Sequence, residues 1–207
     1  MPEIHEFSAR KETILKEGIN MADSLKHLNR ILILFAFLLI LLPANTYAFS
    51  RKYDMYFRQY ASVYMPILNW HWFKAQAIQE SGISESARSW VGAIGVMQLM
   101  PFTAIGLKVN AYSARENIKG GIIYDNEMYS IFKSEKGMHR VKFMFGAYNT
   151  GAGNIISAQN LCQENNIRTD LWQSIVCALP HITGKSASRQ TIDYVIYIFR
   201  YYKLLII

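Results

Sequence analysis

One carboxylate in the 207-residue sequence stands where side-chain periodicity calls for an apolar group. Glu80 closes the run Trp70-His71-Trp72-Phe73-Lys74-Ala75-Gln76-Ala77-Ile78-Gln79. On a helix Phe73, Ala77 and Glu80 fall at i, i+4 and i+7, on a face that also takes Trp70. A carboxyl directed among apolar groups loses hydration when ionised, which raises its pKa. Such a Glu can donate a proton near neutrality, as general acid chemistry requires. A Glu that ends its helix by turning to solvent is the alternative, and position alone does not choose between them. Metal chemistry is not indicated: His5, His27, His71, His139 and His181 are scattered without ligand spacing. Cys162 and Cys177 either close a modest disulfide loop or remain two thiols.

The elements that must position Glu80 read as helices. From Phe49 onward the apolar residues recur with helical periods, and no run of alternating Val, Ile and Thr is bounded by hairpin dipeptides. The pattern predicts helices over 52–64 and from Asn69, whose side chain can cap the first turn, to the carboxylate. A short helix around Met97 and one with Pro101 in its first turn follow. Further helices are expected over 118–132, 141–149, 154–163, 171–178 and 189–205, with breaks at Gly, Pro and Asn/Asp/Ser clusters. The fold class expected is all-α, in one domain spanning 49–207.

Residues 1–48 have a different character. Lys26 and Arg30 precede the uninterrupted apolar run Ile31 to Leu42, and Thr46-Tyr47-Ala48 supplies small residues where a signal peptidase cuts. The run is short for a bilayer span, which needs about 20 residues. The segment therefore predicts a signal peptide cleaved after Ala48 and export to the periplasm or cell envelope. An uncleaved anchor is the alternative, and would be the chain's one link to a membrane. Met21 opens a conventional n-region by itself, so translation starting there is a further expectation. Residues 1–48 carry five Lys/Arg and five Asp/Glu, so the whole formal charge of +7 falls on residues 49–207. A basic exported domain suits a polyanionic partner. Nucleic acid is not expected, because neither a base-stacking signature nor a clustered Arg/Lys motif is present.

Three separated stretches carry a family resemblance. Gln79-Glu80-Ser81 followed by Ser89-Trp90-Val91-Gly92-Ala93-Ile94-Gly95-Val96-Met97-Gln98-Leu99-Met100-Pro101-Phe102-Thr103-Ala104 resembles the signature of the soluble lytic transglycosylase (SLT) family. Asn117-Ile118-Lys119-Gly120-Gly121-Ile122-Ile123-Tyr124 resembles its N-I-x-x-G-x-x-Y element. Ala147-Tyr148-Asn149-Thr150-Gly151-Ala152-Gly153-Asn154 resembles its A-Y-N-A-G-x-G turn, and Tyr194-Val195 a late Y-V element. The catalytic domain of the membrane-bound lytic murein transglycosylase F type is the nearest subfamily, and the likeness covers roughly residues 53–203.

The resemblance implies a lysozyme-like fold with a groove for peptidoglycan glycan strands. It also implies cleavage of the β-1,4 bond between N-acetylmuramic acid and N-acetylglucosamine, leaving a 1,6-anhydromuramoyl end, with no metal or cofactor. Glu80 would be acid and then base, and the nucleophile would belong to the substrate. By the same likeness Ser89 and Gln98 would bind sugar or shape the groove, and Met100 would pack on a sugar. Tyr148 and Asn149 would form the facing wall, and Tyr194 would lie near the acid. Small signal-bearing enzymes of this kind often accompany a secretion or conjugation machine, a partner the resemblance leaves open. The loop after Glu80 departs from the family in lacking an aromatic residue and a proline, and Asp125 stands where leucine is usual. A lysozyme-type muramidase using water, or an inactive peptidoglycan-binding module, are the competing functions.

Overall fold

The computed structural model describes residues 50–207; the expected signal segment, its cleavage point after Ala48 and the start at Met21 lie outside the described residues. Eight α-helices follow one another among the described residues: α1 (Asp54–Tyr64), α2 (His71–Ser81), α3 (Pro101–Gly106), α4 (Ala114–Ile131), α5 (Gly137–Thr150), α6 (Ala152–Glu164), α7 (Trp172–Thr183) and α8 (Lys185–Leu205). Two isolated bridges, Arg88 to Ile94 and Ile94 to Leu99, are the β pairing among them. No described helix is long and apolar enough to cross a membrane.

Helix α2 is the axis of the domain. Six consecutive residues, Trp72 to Ala77, are buried, so the helix is covered on every side rather than along one stripe. It lies along α8, where the Trp72 ring stacks on Tyr202 at 3.6 Å and meets Phe199 edge-on at 4.7 Å. It also touches α1, where buried Lys74 pairs with Asp54 at 2.6 Å. Helix α5 backs this pair with Phe143, Met144, Phe145 and Ala147, all fully buried. Asn69 Oδ1 accepts the His71 N–H at 3.0 Å and so caps the entry to α2.

The exit from α2 is equally defined. Gly82 adopts φ +62°, its N–H returns to the Ile78 carbonyl at 3.0 Å and the Ile83 N–H returns to Ala77 at 3.3 Å, a left-handed terminus that stops the helix after Ser81. Glu80 is thereby held on the last turn of a buried helix, at the surface of the core.

Several expected boundaries move. The short helix around Met97 is instead a tight turn, because Gly95 and Gln98 take φ +76° and +46° and Ile94 pairs with Leu99 in both directions. Helix α4 begins at Ala114 rather than 118, since Ser113 accepts the Glu116 N–H across its first turn. Helix α7 passes through Pro180 and ends at Thr183. Cys162 is buried on α6 and Cys177 exposed on α7, and both are free thiols.

Candidate active site

The surroundings of Glu80 come from four parts of the chain. From α8, the Tyr194 hydroxyl donates to Glu80 Oε1 at 2.5 Å. From α5 comes Tyr148, whose phenol is kept from ionising first by burial and then by the charges of Glu80 and Asp125. The Tyr148 hydroxyl donates to the Met97 carbonyl at 2.7 Å and its ring meets Tyr124 of α4 edge-on at 5.1 Å. From the end of α2 itself, Ser81 Oγ donates to the Val96 carbonyl at 2.7 Å and ties the 82–100 loop to the helix that carries the acid.

Glu80 is partly open to solvent yet walled by protein, and the loss of hydration pushes its carboxyl up to about 7. The Tyr194 hydrogen bond works in the opposite direction, because it favours the carboxylate. A group balanced this way is substantially protonated at neutral pH and still able to become a carboxylate that is stabilised by a donor. Glu85, five residues on, is a different kind of group. It accepts from Tyr53 at 2.5 Å and from Lys52 at 3.1 Å, and the Tyr53 hydrogen bond, followed by Lys52, holds its carboxyl below the usual range.

The loop that faces Glu80 is organised by Asn117, a fully buried residue in the first turn of α4. Its Oδ1 accepts the Met97 N–H at 2.7 Å, while its Nδ2 donates to Ile94 at 2.8 Å and to Ala111 at 3.0 Å. The loop packs directly on α4 at Gly121, where an added Cβ would stand 2.7 Å from the Met97 side chain.

The residues named from the sequence fall into distinct positions. Glu80, Tyr194 and Tyr148 are brought together. Ser89 Oγ accepts the Ala93 N–H at 2.9 Å and Gln98 Nε2 donates to the Gly95 carbonyl at 2.9 Å, so both side chains are committed to the shape of the loop. Asn149 accepts from Thr191 Oγ1 at 2.9 Å, which orients its amide. Met100 is exposed at the start of α3. Past it, Phe102, Thr103, Gly106, Leu107, Tyr124 and Glu127 line a shallow cleft of about 420 Å³. Asn117 was not singled out as a site residue, and neither were the buried Gln76, one turn before Glu80 on α2, and Asp125 on α4. Gln76 Nε2 donates to Tyr194 at 3.2 Å and to Asp125 Oδ1 at 3.3 Å. Among the described residues no group of three or more His, Cys, Asp or Glu is placed to hold a metal ion.

Comparison with known proteins places this geometry in context. The family model described as the transglycosylase SLT domain matches residues 55–171. A membrane-bound lytic murein transglycosylase F of Shewanella denitrificans is 30% identical over 177 residues, covering 78% of this chain and 36% of that protein. Its counterpart in Aeromonas hydrophila is 33% identical over 131 residues, covering 62% of this chain and 26% of that protein. The chain thus spans about a quarter to a third of the length of these curated relatives. Among solved structures, the 70 kDa soluble lytic transglycosylase SLT70 of Escherichia coli aligns with a TM-score of 0.57 at 25% identity over 76% of this chain and 25% of that one. A complex of the 70 kDa soluble lytic transglycosylase with bulgecin A aligns with a TM-score of 0.59 at the same identity and coverage.

Proposed function

The chain belongs to the transglycosylase SLT domain family, and from that premise we propose that it is a peptidoglycan lytic transglycosylase with Glu80 as its single acid and base. Its mainly helical, lysozyme-like fold is that of the family. The observation that carries the reading is Glu80 itself: a carboxyl raised to about 7 by burial, with the Tyr194 donor on one oxygen.

The reaction proceeds in two proton transfers. Glu80 gives its proton to the glycosidic oxygen between N-acetylmuramic acid and N-acetylglucosamine as that bond breaks. The resulting carboxylate, steadied by Tyr194, then takes the proton from the muramoyl C6 hydroxyl as that oxygen bonds to C1, closing the 1,6-anhydro ring. Water is not consumed. A two-carboxylate glycosidase holds its acids about 5–10 Å apart across the sugar. Glu85 is a poor second acid because it is occupied at the surface by Lys52 and Tyr53, and Asp125 is fully buried behind Gln76. A nucleophile within the substrate removes the need for either.

Tyr148 and Asn149 form the wall across from the acid, Ser89 and Gln98 hold the loop that borders the glycan, and Met100 meets the sugar from the rim. The basic charge on residues 49–207 suits a cell-wall polymer, and the segment ending at Ala48 directs export. The test is digestion of peptidoglycan by the purified protein beside Glu80→Gln, with products resolved by mass. Anhydromuramoyl ends, lighter by one water than reducing ends, are expected from the wild type and almost none from the variant. Reducing ends would make it a muramidase, and full activity in Glu80→Gln would remove Glu80 from its role.

A further inference from the structure

Behind the acid lies a polar chain of which the proposed reaction uses only the last member, Tyr194. Asp125, Gln76 and Tyr194 are all buried, the first two completely, at a depth where each polar group must justify its desolvation by a partner. Their hydrogen bonds run in one direction. The two Nε2 protons of Gln76 go to Asp125 Oδ1 and to the Tyr194 oxygen. Having accepted there, Tyr194 sends its single proton to Glu80 Oε1. Oε1 is then an acceptor, so the proton that Glu80 transfers resides on Oε2.

What fixes the direction is the Gln76 amide. Turned over, it would present Oε1 to the Tyr194 hydroxyl and draw that proton away from Glu80. Asp125 Oδ1 is the acceptor that keeps Nε2 facing this way. The two buried side-chain atoms without a hydrogen-bond partner among the described residues are Asp125 Oδ2 and Gln76 Oε1. Both belong to this same pair, and a proton on Asp125 Oδ2 turns one of the two unpartnered acceptors into a donor.

Resting on the proposed function above, we propose that Asp125 is a positioning residue, carried as the neutral acid, which locks the Gln76 amide so that Tyr194 donates to Glu80 and the transferable proton sits on Oε2. Burial raises the Asp125 carboxyl well above the usual range against the Gln76 hydrogen bond, which lowers it, and Glu80 adds to the rise. The ionisable groups facing it are Glu80 from α2, its neighbour Tyr124 on α4, Tyr148 from α5 and Tyr194 from α8; all four are acids, neutral or anionic in either state, so none supplies a cation to ionise Asp125.

The test follows the Glu80 carboxyl directly. In the full chain labelled with ¹³C at Glu and Asp carboxyls, Glu80 is assigned by its loss in Glu80→Gln and Asp125 by its loss in Asp125→Asn. Wild-type Asp125 is expected to stay protonated through the range in which Glu80 titrates. Asp125→Asn preserves both the acceptor and the donor, so the Glu80 midpoint should move by no more than about 0.3 pH units. Asp125→Leu and Asp125→Ala remove the acceptor by two routes, so one remains informative if the other does not fold. Each should raise the midpoint by about half a unit or more and lower kcat about tenfold with little change in KM. The inference is overturned if a folded Leu or Ala variant keeps the wild-type midpoint, if Asn shifts it as far as they do, or if wild-type Asp125 titrates below Glu80. Because the titration needs no substrate, its outcome is separate from that of the digestion, where failure to form anhydro ends would sink the functional reading alone.

Discussion

Tyr194 and Glu80 are 114 residues apart in sequence and joined by a 2.5 Å hydrogen bond in which the phenol donates. The bond stabilises the carboxylate and so lowers the Glu80 pKa against the burial that raises it. Removing it in Tyr194→Phe lets burial act unopposed. The high-pH limb of the kcat profile, where Glu80 loses its proton, should move up by about one pH unit or less. At the optimum kcat should fall about tenfold, because the carboxylate that recovers the proton loses its donor. A pH series of anhydro-product formation checks both.

Stability should also depend on the acid. Glu80 titrates near 4.5 when unfolded and at about 7 when folded, so the folded state holds its proton more tightly. The corresponding stabilisation is complete below 4.5 and is lost as pH rises through 7. It amounts to at most about 3 kcal/mol, reduced by the screening that partial exposure allows. The thermal midpoint should therefore fall between pH 5 and 8, and because Asp125, carried neutral in the fold, adds to the same slope, Glu80→Gln should remove about half of that fall. A midpoint equally steep in the variant would place the linkage elsewhere.

Asn117 holds the loop of the candidate site through three buried hydrogen bonds. Asn117→Ala strands the Met97 N–H and the Ala111 carbonyl and leaves the Ile94 carbonyl with the Leu99 N–H alone, at a cost of about 2–4 kcal/mol. Since Tyr148 is anchored on the Met97 carbonyl, activity should decline more steeply than the folded fraction does. Denaturant melts alongside digestion rates separate the two effects.

Two glycines should respond in opposite ways. A methyl at Gly121 would lie 2.7–2.8 Å from three Met97 side-chain atoms in a fully packed core. Gly121→Ala should cost about 1–3 kcal/mol and disturb the loop. Gly153 sits within α6 with nothing near its missing Cβ, and Gly153→Ala should stabilise by about 0.5–1 kcal/mol without altering activity. Calorimetry of the two variants distinguishes close approach from simple backbone freedom.

The helices and the exceptional carboxylate were legible because both are local signals. Phe73, Ala77 and Glu80 share a face whether or not the rest of the domain is known, and the two former residues are buried. The start of α4 was also legible in principle. Ser113 followed by Glu116 has the spacing of a capping box, a stronger marker than the apolar period that suggested 118. The turn at Met97 was not legible as a turn, because Gln98 takes a left-handed conformation only where the Ile94–Leu99 pairing imposes it. Gln76 lies four residues before Glu80 and so on the same face, a clue masked by the apolar run around it. Its link to Asp125 spans 49 residues, and packing alone creates it.

The construction of the site from distant segments has a consequence for timing. A chain made from its N-terminus carries Glu80 early, but the phenol that completes the acid arrives with α8, the last helix. Until α8 docks along α2, the Tyr194 donor is missing and the carboxyl is open to water on that side, where it is an ordinary ionised surface group. A partly made chain holds the acid residue without holding the acid. Under the proposed function, reactivity thus begins only once α8 has docked.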